Sequence, residues 1–422
     1  MRVEDLVYFC APARLVMGAG CRAQLPALLH RLGYRRGLVV TDTFFTGATP
    51  WVDELVAGAR AHDVELLVYD GGMPDPTTTL CDAATAAVRE RLGGLPVDHV
   101  IALGGGSNID LAKALCLTLP GGRPVRAFLG RIDAGTPILP LVAMPTTAGT
   151  GSEATPGAIL VDPDNATKVA VMDNRLRPGV ALVDPEFTYT CPPRVTADAG
   201  IDALTHAIES YLTLDSARFD RGGDPDPGYS GRNALTMLFA HESIRLCGRY
   251  LLRSYRDGSD TEARIGMSYA SVYAALSYGS AGLNAVHGIA YAVAGLTHLS
   301  HGTTNAVMLP YVLDVLADVR REELLAIARL LDIAESDPDI AVARVPGAVR
   351  ELVAAVGLPT TLQACGVGQG DIDALVRDAL GVARLAKAFP VPDVPARYAA
   401  IVRNAWAGTL PAEAQARARR VA

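Results

Sequence analysis

Four residues have the types and the spacing to hold a metal ion. Asp202 and His206 are four positions apart, so on a helix their side chains project from the same face, one turn apart. Further along the chain, His287 and His301 each stand immediately before a glycine. One carboxylate and three imidazoles suit Fe(II), Zn(II), Co(II) or Ni(II) better than Ca(II) or Mg(II). If these four side chains meet, the sequence predicts a metalloenzyme.

The other five histidines are weaker candidates. His30, His62 and His99 have no acidic neighbour at ligand spacing, and we expect them at the surface or as caps. His241 is expected to be structural. His298 is close in sequence to the last of the four candidates, so it is expected at most near the metal, outside the ligand set.

Composition describes a globular chain with a large core. With 422 residues, half of them hydrophobic and a fifth charged, the chain exceeds the usual size of one domain. Its net charge of −7 and the lack of a Lys/Arg-rich stripe argue against a nucleic-acid partner. We find no membrane span or secretory signal, and the seven cysteines have no regular spacing. We therefore expect a cytoplasmic protein with reduced thiols and no membrane partner.

Strand and helix patterns alternate in the first half of the chain. Buried-strand patterns cover residues 37–42, 64–69 and 99–103, and helical spacing covers residues 51–62 and 79–92. This alternation predicts parallel βαβ units.

The second half is predicted to be helical. It follows the double proline at Pro192 and Pro193, a natural break because proline cannot continue a helix. Helical patterns span roughly residues 196–214, 232–256, 261–278, 283–297, 306–332, 339–356 and 370–382. We expect an α/β domain at residues 1–191 and an all-helical domain at residues 192–422.

Two features of the first half suggest a dinucleotide. The segment Gly104, Gly105, Gly106, Ser107 follows a strand and opens a helix, where backbone N–H groups can meet a phosphate. A tight strand–helix turn would explain these glycines equally well. Asp42 ends a strand, where its carboxylate can accept hydrogen bonds from an adenosine ribose and repel a 2′-phosphate, although a simple cap is the alternative.

The run from Pro145 to Glu153 is more informative. It contains four hydroxyl side chains and two glycines in nine residues, directly after an apolar strand pattern. We favour a binding role over a hydroxyl-rich loop with an N-cap at Ser152. Because Asp42 precedes the glycines by about sixty residues, the order differs from the standard Rossmann fingerprint.

Together these segments resemble the iron-containing (group III) alcohol dehydrogenases. The resemblance spans about residues 10–400 and rests on motifs in family order: residues 104–107 with Asp110 and Lys113, residues 145–153, residues 202–211, and residues 287–310. It implies an α/β dinucleotide-binding domain with a parallel sheet, followed by an all-α metal-binding and substrate domain. This is the plan that the family shares with dehydroquinate synthase.

The resemblance also implies site residues. Asp202, His206, His287 and His301 would bind Fe(II), with Zn(II) as the alternative metal. The implied nucleotide-binding residues are Asp42, Gly104, Gly105, Gly106, Ser107, Asp110, Thr146, Thr147, Thr150, Ser152 and Lys168. Asp42 matches the position that favours NAD(H) over NADP(H). We also expect a homodimer.

Tyr291 departs from the pattern that many family members show. Four residues after the first of the two later ligand histidines, those members have another histidine, often assigned to proton transfer; here Tyr291 stands at that position. A phenol can donate a hydrogen bond, but with an ordinary pKa near 10 it is a poor proton acceptor at neutral pH. Tyrosine there resembles the branch that includes the hydroxyacid–oxoacid transhydrogenases. We expect Tyr291 to orient groups in the catalytic site rather than ionise.

The predicted reaction is hydride transfer between NAD(H) and a small primary alcohol or its aldehyde, with the metal as a Lewis acid. A transhydrogenase is one alternative. A dehydroquinate synthase-like lyase is another, but residues 197–214 lack the Lys or Arg that its substrate phosphate would need. If Arg384 and Lys387 point inward, the aldehyde can be anionic, such as a semialdehyde acid or a phosphonoaldehyde. Solvated helix-end cations are the simpler expectation.

Overall fold

The computed structural model describes residues 6–130, 132–164 and 167–414. Their contacts divide them into two compact units: residues 10–189, and residues 190–414 together with residues 6–9. The sequence-based division placed residues 6–9 in the first unit. They join the second because the Tyr8 carbonyl accepts a hydrogen bond from Asn233 Nδ2 (3.3 Å) and the Phe9 ring stacks on Phe239 with centroids 5.7 Å apart.

The first unit is built on a sheet of six strands, and these strands are parallel, as predicted. In chain order its strands are β1 Arg14–Met17, β2 Arg36–Val40, β3 Glu65–Tyr69, β4 His99–Gly104 and β5 Leu141–Pro145, followed after the hairpin of β6 Gly157–Asp162 and β7 Thr167–Met172 by β8 Val180–Val183. The order across the sheet is β1-β8-β5-β4-β2-β3, and the hairpin pairs separately as an antiparallel sheet.

Helices cover both faces of this sheet. They are α1 Leu25–Arg31, α2 Thr43–Gly47, α3 Trp51–Arg60, α4 Thr78–Leu92 and α5 Gly106–Gly121. Leu38 and Val40 of β2 pack into one hydrophobic cluster, whereas Val39 between them packs into another on the opposite face. Because both faces are buried, the strands appear in the sequence as continuous apolar runs rather than as alternating patterns. The predicted strands and helices of this unit are confirmed to within a few residues.

His99 does not lie at the surface, where we expected it. Its ring is fully buried, stacks on Tyr34 with centroids 4.4 Å apart, and hydrogen-bonds through Nδ1 to the Asp98 carboxylate. Burial lowers the pKa of His99 although the Asp98 carboxylate opposes this effect. Gly37 on the adjacent strand leaves room for the imidazole, since a Cβ there would lie 2.4 Å from the ring.

The second unit is helical, which confirms the predicted fold class. Its helices are α6 Pro193–Leu212, α7 Ala234–Arg256, α8 Thr261–Ala281, α9 Ala285–Thr297, α10 His301–Leu316, α11 Arg321–Leu330, α12 Pro338–Ala355, α13 Ile372–Gly381, α14 Ala383–Ala386 and α15 Val394–Ala407. Across the described ranges of the chain, no helix is both long and apolar enough to span a membrane.

Two predictions for the helical unit were wrong in detail. The single helix expected at residues 306–332 is two helices, because Arg320 leaves helical geometry and its guanidinium donates to the carbonyls of Leu212 (3.1 Å) and Thr213 (2.8 Å) at the end of α6. The helix α15 was missed because prolines surround its start. Pro395 is tolerated there because the first turn of a helix needs no N–H donor.

Gly302 allows α10 to approach α6 closely. A Cβ at Gly302 would lie 2.2 Å from the carbonyl oxygen of Asp198 and 2.6 Å from its carbonyl carbon. The same approach lets the hydroxyls of Ser300 (2.9 Å) and Thr303 (2.6 Å) donate to the Asp198 carboxylate. This crossing positions the first turn of α10, where His301 lies.

We expect Gly302→Ala to lower the free energy of unfolding by about 1–3 kcal/mol, because the new methyl meets rigid backbone. Gly381→Ala is the matched control, since a Cβ at Gly381 meets no atom of the described part of the chain within 4 Å. The control should leave stability unchanged or raise it by up to about 1 kcal/mol. Urea unfolding followed by circular dichroism measures both, and equal stability of the two variants would contradict the proposed packing constraint.

Candidate metal centre and nucleotide-binding loops

The four predicted metal ligands converge on one point. One ligand atom from each of Asp202, His206, His287 and His301 lies within 4.8 Å of the others. Asp202 Oδ1 is 3.7 Å from His206 Nε2, 3.8 Å from His287 Nε2 and 3.7 Å from His301 Nε2. Atoms that share one ion at about 2.1 Å must lie within about 4 Å of one another, so these distances are those of a near-complete ligand set.

Three helices position these side chains. Asp202 and His206 lie one turn apart on the buried α6, as predicted, and His287 and His301 lie in the first turns of α9 and α10. The side chains of the first three are at most 4% exposed, whereas that of His301 is 26% exposed. The centre is therefore closed on the α6 side and accessible beside His301.

The imidazoles around Asp202 favour its ionised form. Burial works against the charged carboxylate, but the imidazoles of His206, His301 and His287, together with a hydrogen bond from Asn305, lower the pKa of Asp202 below its usual value. An anionic carboxylate among imidazoles is the donor set that a borderline divalent cation requires.

Glu209 is a site residue that the sequence reasoning missed. Its carboxylate accepts hydrogen bonds from the backbone N–H groups of Asn284 (3.2 Å) and Val286 (2.7 Å), and it contacts His287 Nδ1. An acceptor at Nδ1 leaves Nε2 of His287 to face the centre. The signal in the sequence was its spacing, because Asp202, His206 and Glu209 occupy positions i, i+4 and i+7 of one helix face.

Burial works against the charged form of the Glu209 carboxyl group. Burial raises the pKa of Glu209 to about 8, although the backbone N–H donors and His206 favour the charged form. A divalent cation at the centre would favour the ionised carboxylate further.

The surroundings of the Asn305 amide bear on whether the centre fits a cation. Its Nδ2 lies 2.8 Å from Asp202 Oδ1, 3.1 Å from His287 Nε2 and 3.2 Å from His301 Nε2, while its Oδ1 is buried without a hydrogen-bond partner among the described residues. The two ends of an amide are nearly indistinguishable in shape, so the reversed orientation would turn this oxygen toward the same three atoms. A cation at the centre would give this buried oxygen a positively charged partner, so these residues fit a metal ion.

Tyr291 lies beside two of the four ligands. Its ring stacks on His301 with centroids 5.7 Å apart and meets His287 edge-on at 6.2 Å. The Arg384 guanidinium carbon lies 5.9 Å from the Tyr291 ring centre, so Arg384 is half-buried against this ring and is not a solvated helix-end cation. Lys387 is exposed, and its Nζ donates to the Asp220 carbonyl (3.2 Å).

The predicted nucleotide loops of the first unit lie at one edge of its sheet. The adjacent parallel strands β2, β4 and β5 lead at their carboxyl ends into Asp42, the Gly104–Gly106 turn and Thr146. In α/β sheets this edge is where ligands bind. Thr146 N donates to the Gly104 carbonyl (3.0 Å), which joins two of the loops.

Packing explains two of the three glycines. Gly104 has φ of +147°, and a Cβ there would lie 2.1 Å from Asn108 Nδ2. A Cβ at Gly106 would lie 2.7 Å from the Thr150 side chain, whereas at Gly105 the nearest atoms belong to Thr147 at 3.6 Å. The half-buried Thr147 and Thr150 therefore flank the glycine turn, at the N-terminus of α5.

Asp42 serves as a cap and also contacts the glycine loop. Its carboxylate accepts from Phe44 N (2.9 Å) at the start of α2 and from Asn108 Nδ2 (2.7 Å). Ser107 and Lys168 are linked through Asp75, whose N–H donates to Ser107 Oγ (3.1 Å) and whose carboxylate pairs with Lys168 Nζ (2.8 Å).

Asp110 and Ser152 are held by an interior lysine. Ser152 Oγ donates to Asp110 and accepts from Lys113 Nζ (2.9 Å), which also donates to the Gly157 carbonyl (2.6 Å). Burial lowers the pKa of Lys113 to about 8 although the Asp110 carboxylate opposes this effect. Asp110, Lys113 and Ser152 thus support the residue 145–153 loop from inside.

Comparison with known proteins identifies similar chains over nearly the whole length. The model of the iron-containing alcohol dehydrogenase family matches residues 12–185, and that of the C-terminal part of the Fe-containing alcohol dehydrogenase family matches residues 228–405. Long-chain-alcohol dehydrogenase 1 of Geobacillus thermodenitrificans is 34% identical over 418 residues, covering 97% of this chain and 98% of the relative.

Two further proteins agree with these matches. The NAD-dependent methanol dehydrogenase of Bacillus methanolicus is 30% identical, with 88% of this chain and 92% of the relative covered. A crystal structure of a 1,3-propanediol oxidoreductase superposes with a TM-score of 0.85 at 29% identity, covering 95% of this chain and 100% of that chain.

The role of Glu209 gives a prediction on metal affinity. Glu209→Gln keeps the shape but removes the charge behind His287, and we expect Fe(II) or Co(II) affinity to fall by about 10–100-fold. Competition with a chelator measures the dissociation constant. Glu242→Gln, which removes an exposed carboxylate paired with Arg245 on α7, is the control and should bind as the parent does. Equal affinities for both variants would show that Glu209 does not support the centre.

Proposed function

The chain belongs to the iron-containing alcohol dehydrogenase family, and from that membership we propose that it interconverts a small primary alcohol and its aldehyde, using NAD(H) and Fe(II). The convergence of Asp202, His206, His287 and His301 within 4.8 Å is the observation that carries this proposal. Membership of the family shows that the chain is an oxidoreductase. The identities of its metal, nucleotide and substrate are what we propose.

The chain's own residues would bind and orient the reactants. Asp202 and the three histidines would hold the ion, with access beside the partly exposed His301. When bound, NAD(H) would supply the hydride chemistry and Fe(II) would supply Lewis-acid polarisation of the substrate oxygen. Tyr291 would orient groups beside the centre, because its ring is fixed between His301 and Arg384.

The sheet edge of the first unit would bind the nucleotide. Gly104–Ser107 would present backbone N–H groups to the pyrophosphate at the start of α5, flanked by the hydroxyls of Thr147 and Thr150. The Asp42 carboxylate would accept hydrogen bonds from the adenosine ribose and repel the 2′-phosphate of NADP(H).

Asp42→Ser tests the nucleotide preference. Serine keeps the cap of α2 but removes the charge, so we expect the NADPH-to-NADH ratio of kcat/KM to rise by about tenfold or more. Initial rates with one aldehyde and each nucleotide give this ratio. Asp53→Ser, at an exposed position on α3, should leave the ratio as it is. A ratio unchanged in Asp42→Ser would remove Asp42 from the nucleotide site.

His206→Ala tests the metal centre. We expect this variant to lose bound metal and aldehyde reduction together, because one of the four ligands is gone. Metal content by elemental analysis and NADH oxidation at 340 nm are the two readouts. His241→Ala, at an exposed position on α7, is the control. Full activity in a metal-free His206→Ala protein would refute the proposed centre.

The same absorbance assay separates the alternative functions. Tyr291 is the observation that favours a transhydrogenase, which would need a second substrate to recycle its bound nucleotide and would not consume added NADH steadily. A phosphate-releasing lyase would consume none. Steady NADH oxidation with an aldehyde alone supports the dehydrogenase. A homodimer and a cytoplasmic location remain predictions.

A further inference from the structure

We propose that Arg384 binds the anionic end of the substrate, so that this chain prefers short aldehydes carrying a carboxylate, sulfonate or phosphonate over neutral ones. This inference rests on the proposed function and specifies its substrate class. The chemistry that recognises the ligand is a guanidinium facing a small oxyanion, with the aldehyde at the other end of the same molecule.

The position of Arg384 is the first argument. It lies on the short helix α14, which packs against α9, the helix that carries His287 and Tyr291. The guanidinium carbon is 5.9 Å from the Tyr291 ring centre, and that ring is stacked on His301. The Tyr291 ring therefore lies between the Arg384 guanidinium and His301, the candidate ligand whose side chain is partly exposed. This spacing suits a short substrate with an aldehyde at one end and an anionic group at the other.

The partners of Arg384 are the second argument. Its guanidinium hydrogen-bonds to the phenols of Tyr291 and Tyr229, and in residues 6–130, 132–164 and 167–414 no carboxylate lies within ion-pair distance of it. Burial lowers the pKa of Arg384, but the interactions with the two tyrosines outweigh it, so the side chain stays charged. A half-buried cation without an anion costs free energy that an incoming oxyanion would offset.

Other buried arginines of the same unit are satisfied differently. Arg232 and Arg320 each pair with the Asp215 carboxylate. Arg264 donates to two backbone carbonyls and to the Thr196 hydroxyl. Arg384, like Arg264, has no carboxylate partner among the described residues, but it is held by two aromatic side chains beside the candidate centre rather than by backbone carbonyls.

Lys387, three positions further on, provides a natural contrast. Its Nζ donates to the Asp220 carbonyl and lies 5.4 Å from the Phe219 ring centre, so it fastens a loop and does not contact Tyr291 in the described structure. Two cations of one segment thus have different surroundings, and only Arg384 adjoins the candidate centre.

Substrate discrimination is the first test. We would compare butanal with succinic semialdehyde, sulfoacetaldehyde and phosphonoacetaldehyde as substrates for the Fe(II)-loaded protein with NADH. The parent should show the higher kcat/KM with at least one anionic aldehyde. Arg384→Met should lower the anionic-to-neutral ratio of kcat/KM on the order of 100-fold, mainly through KM. Lys387→Met should keep the parent's ratio within about twofold, since that residue is outside the proposed site.

Anion binding is a second readout that needs no turnover. Ethanesulfonate, propanoate and ethylphosphonate carry the three anionic groups but no aldehyde, and calorimetric titration of the NAD-loaded protein measures their binding. The parent and Lys387→Met should bind at least one of them, and Arg384→Met should not. Arg384→Lys should recover part of the binding, because it restores the charge without the planar fork. Unchanged metal content in Arg384→Met excludes an effect through the centre.

The outcomes separate this inference from the proposed function. If neutral aldehydes are reduced as well as anionic ones and Arg384→Met leaves the ratio unchanged, the role of Arg384 is wrong while the dehydrogenase stands. If no aldehyde of either class is reduced, the proposed function fails, and the titrations alone decide whether Arg384 forms an anion site. Binding of the three anions equally well to Arg384→Met would overturn the inference in either case.

Discussion

The candidate metal centre depends on hydrogen bonds between one face of α6 and the N-termini of two other helices, α9 and α10. Glu209 near one end accepts the N–H groups that open α9, and Asp198 near the other end accepts the hydroxyls of Ser300 and Thr303 where α10 begins. A carboxylate at a helix N-terminus is favourable because the dipole there is positive. Since α9 and α10 carry histidines in their first turns, the same contacts that fasten the helices bring His287 and His301 to α6.

Much of this arrangement could be predicted from the sequence, because it depends on local spacing. A carboxylate and an imidazole four residues apart share a helix face wherever the helix lies, and a βαβ pattern implies strand ends at one edge. Asn305 and Arg384 could not be placed in this way. Asn305 reaches the centre only because α10 crosses α6, and Arg384 meets Tyr291 only because α14 packs on α9. Glu209 could have been found by extending the helix-face argument one turn further.

In the first unit, the sequence did not show the direction in which each side chain points. The run from Pro145 to Glu153 was correctly identified as polar, but composition does not reveal that Ser152 turns inward to Asp110 and Lys113 while Thr147 and Thr150 flank the glycine turn. His99 was misjudged for the same reason. A histidine on a strand that is covered on both faces has no route to solvent, and the covering helices are distant in sequence.

The burial of acidic groups on α6 has a thermodynamic consequence. Asp202 and Glu209 place two carboxyl groups in the interior along one side of a single helix, where burial opposes their charged forms. A divalent ion held by Asp202 and the three histidines would favour the charged form of both carboxyl groups and would bind the folded chain far better than the unfolded one. Metal supply would then set the lifetime of the folded enzyme as well as its turnover, and the concentration of free metal in the surroundings would determine how much of the chain stays folded.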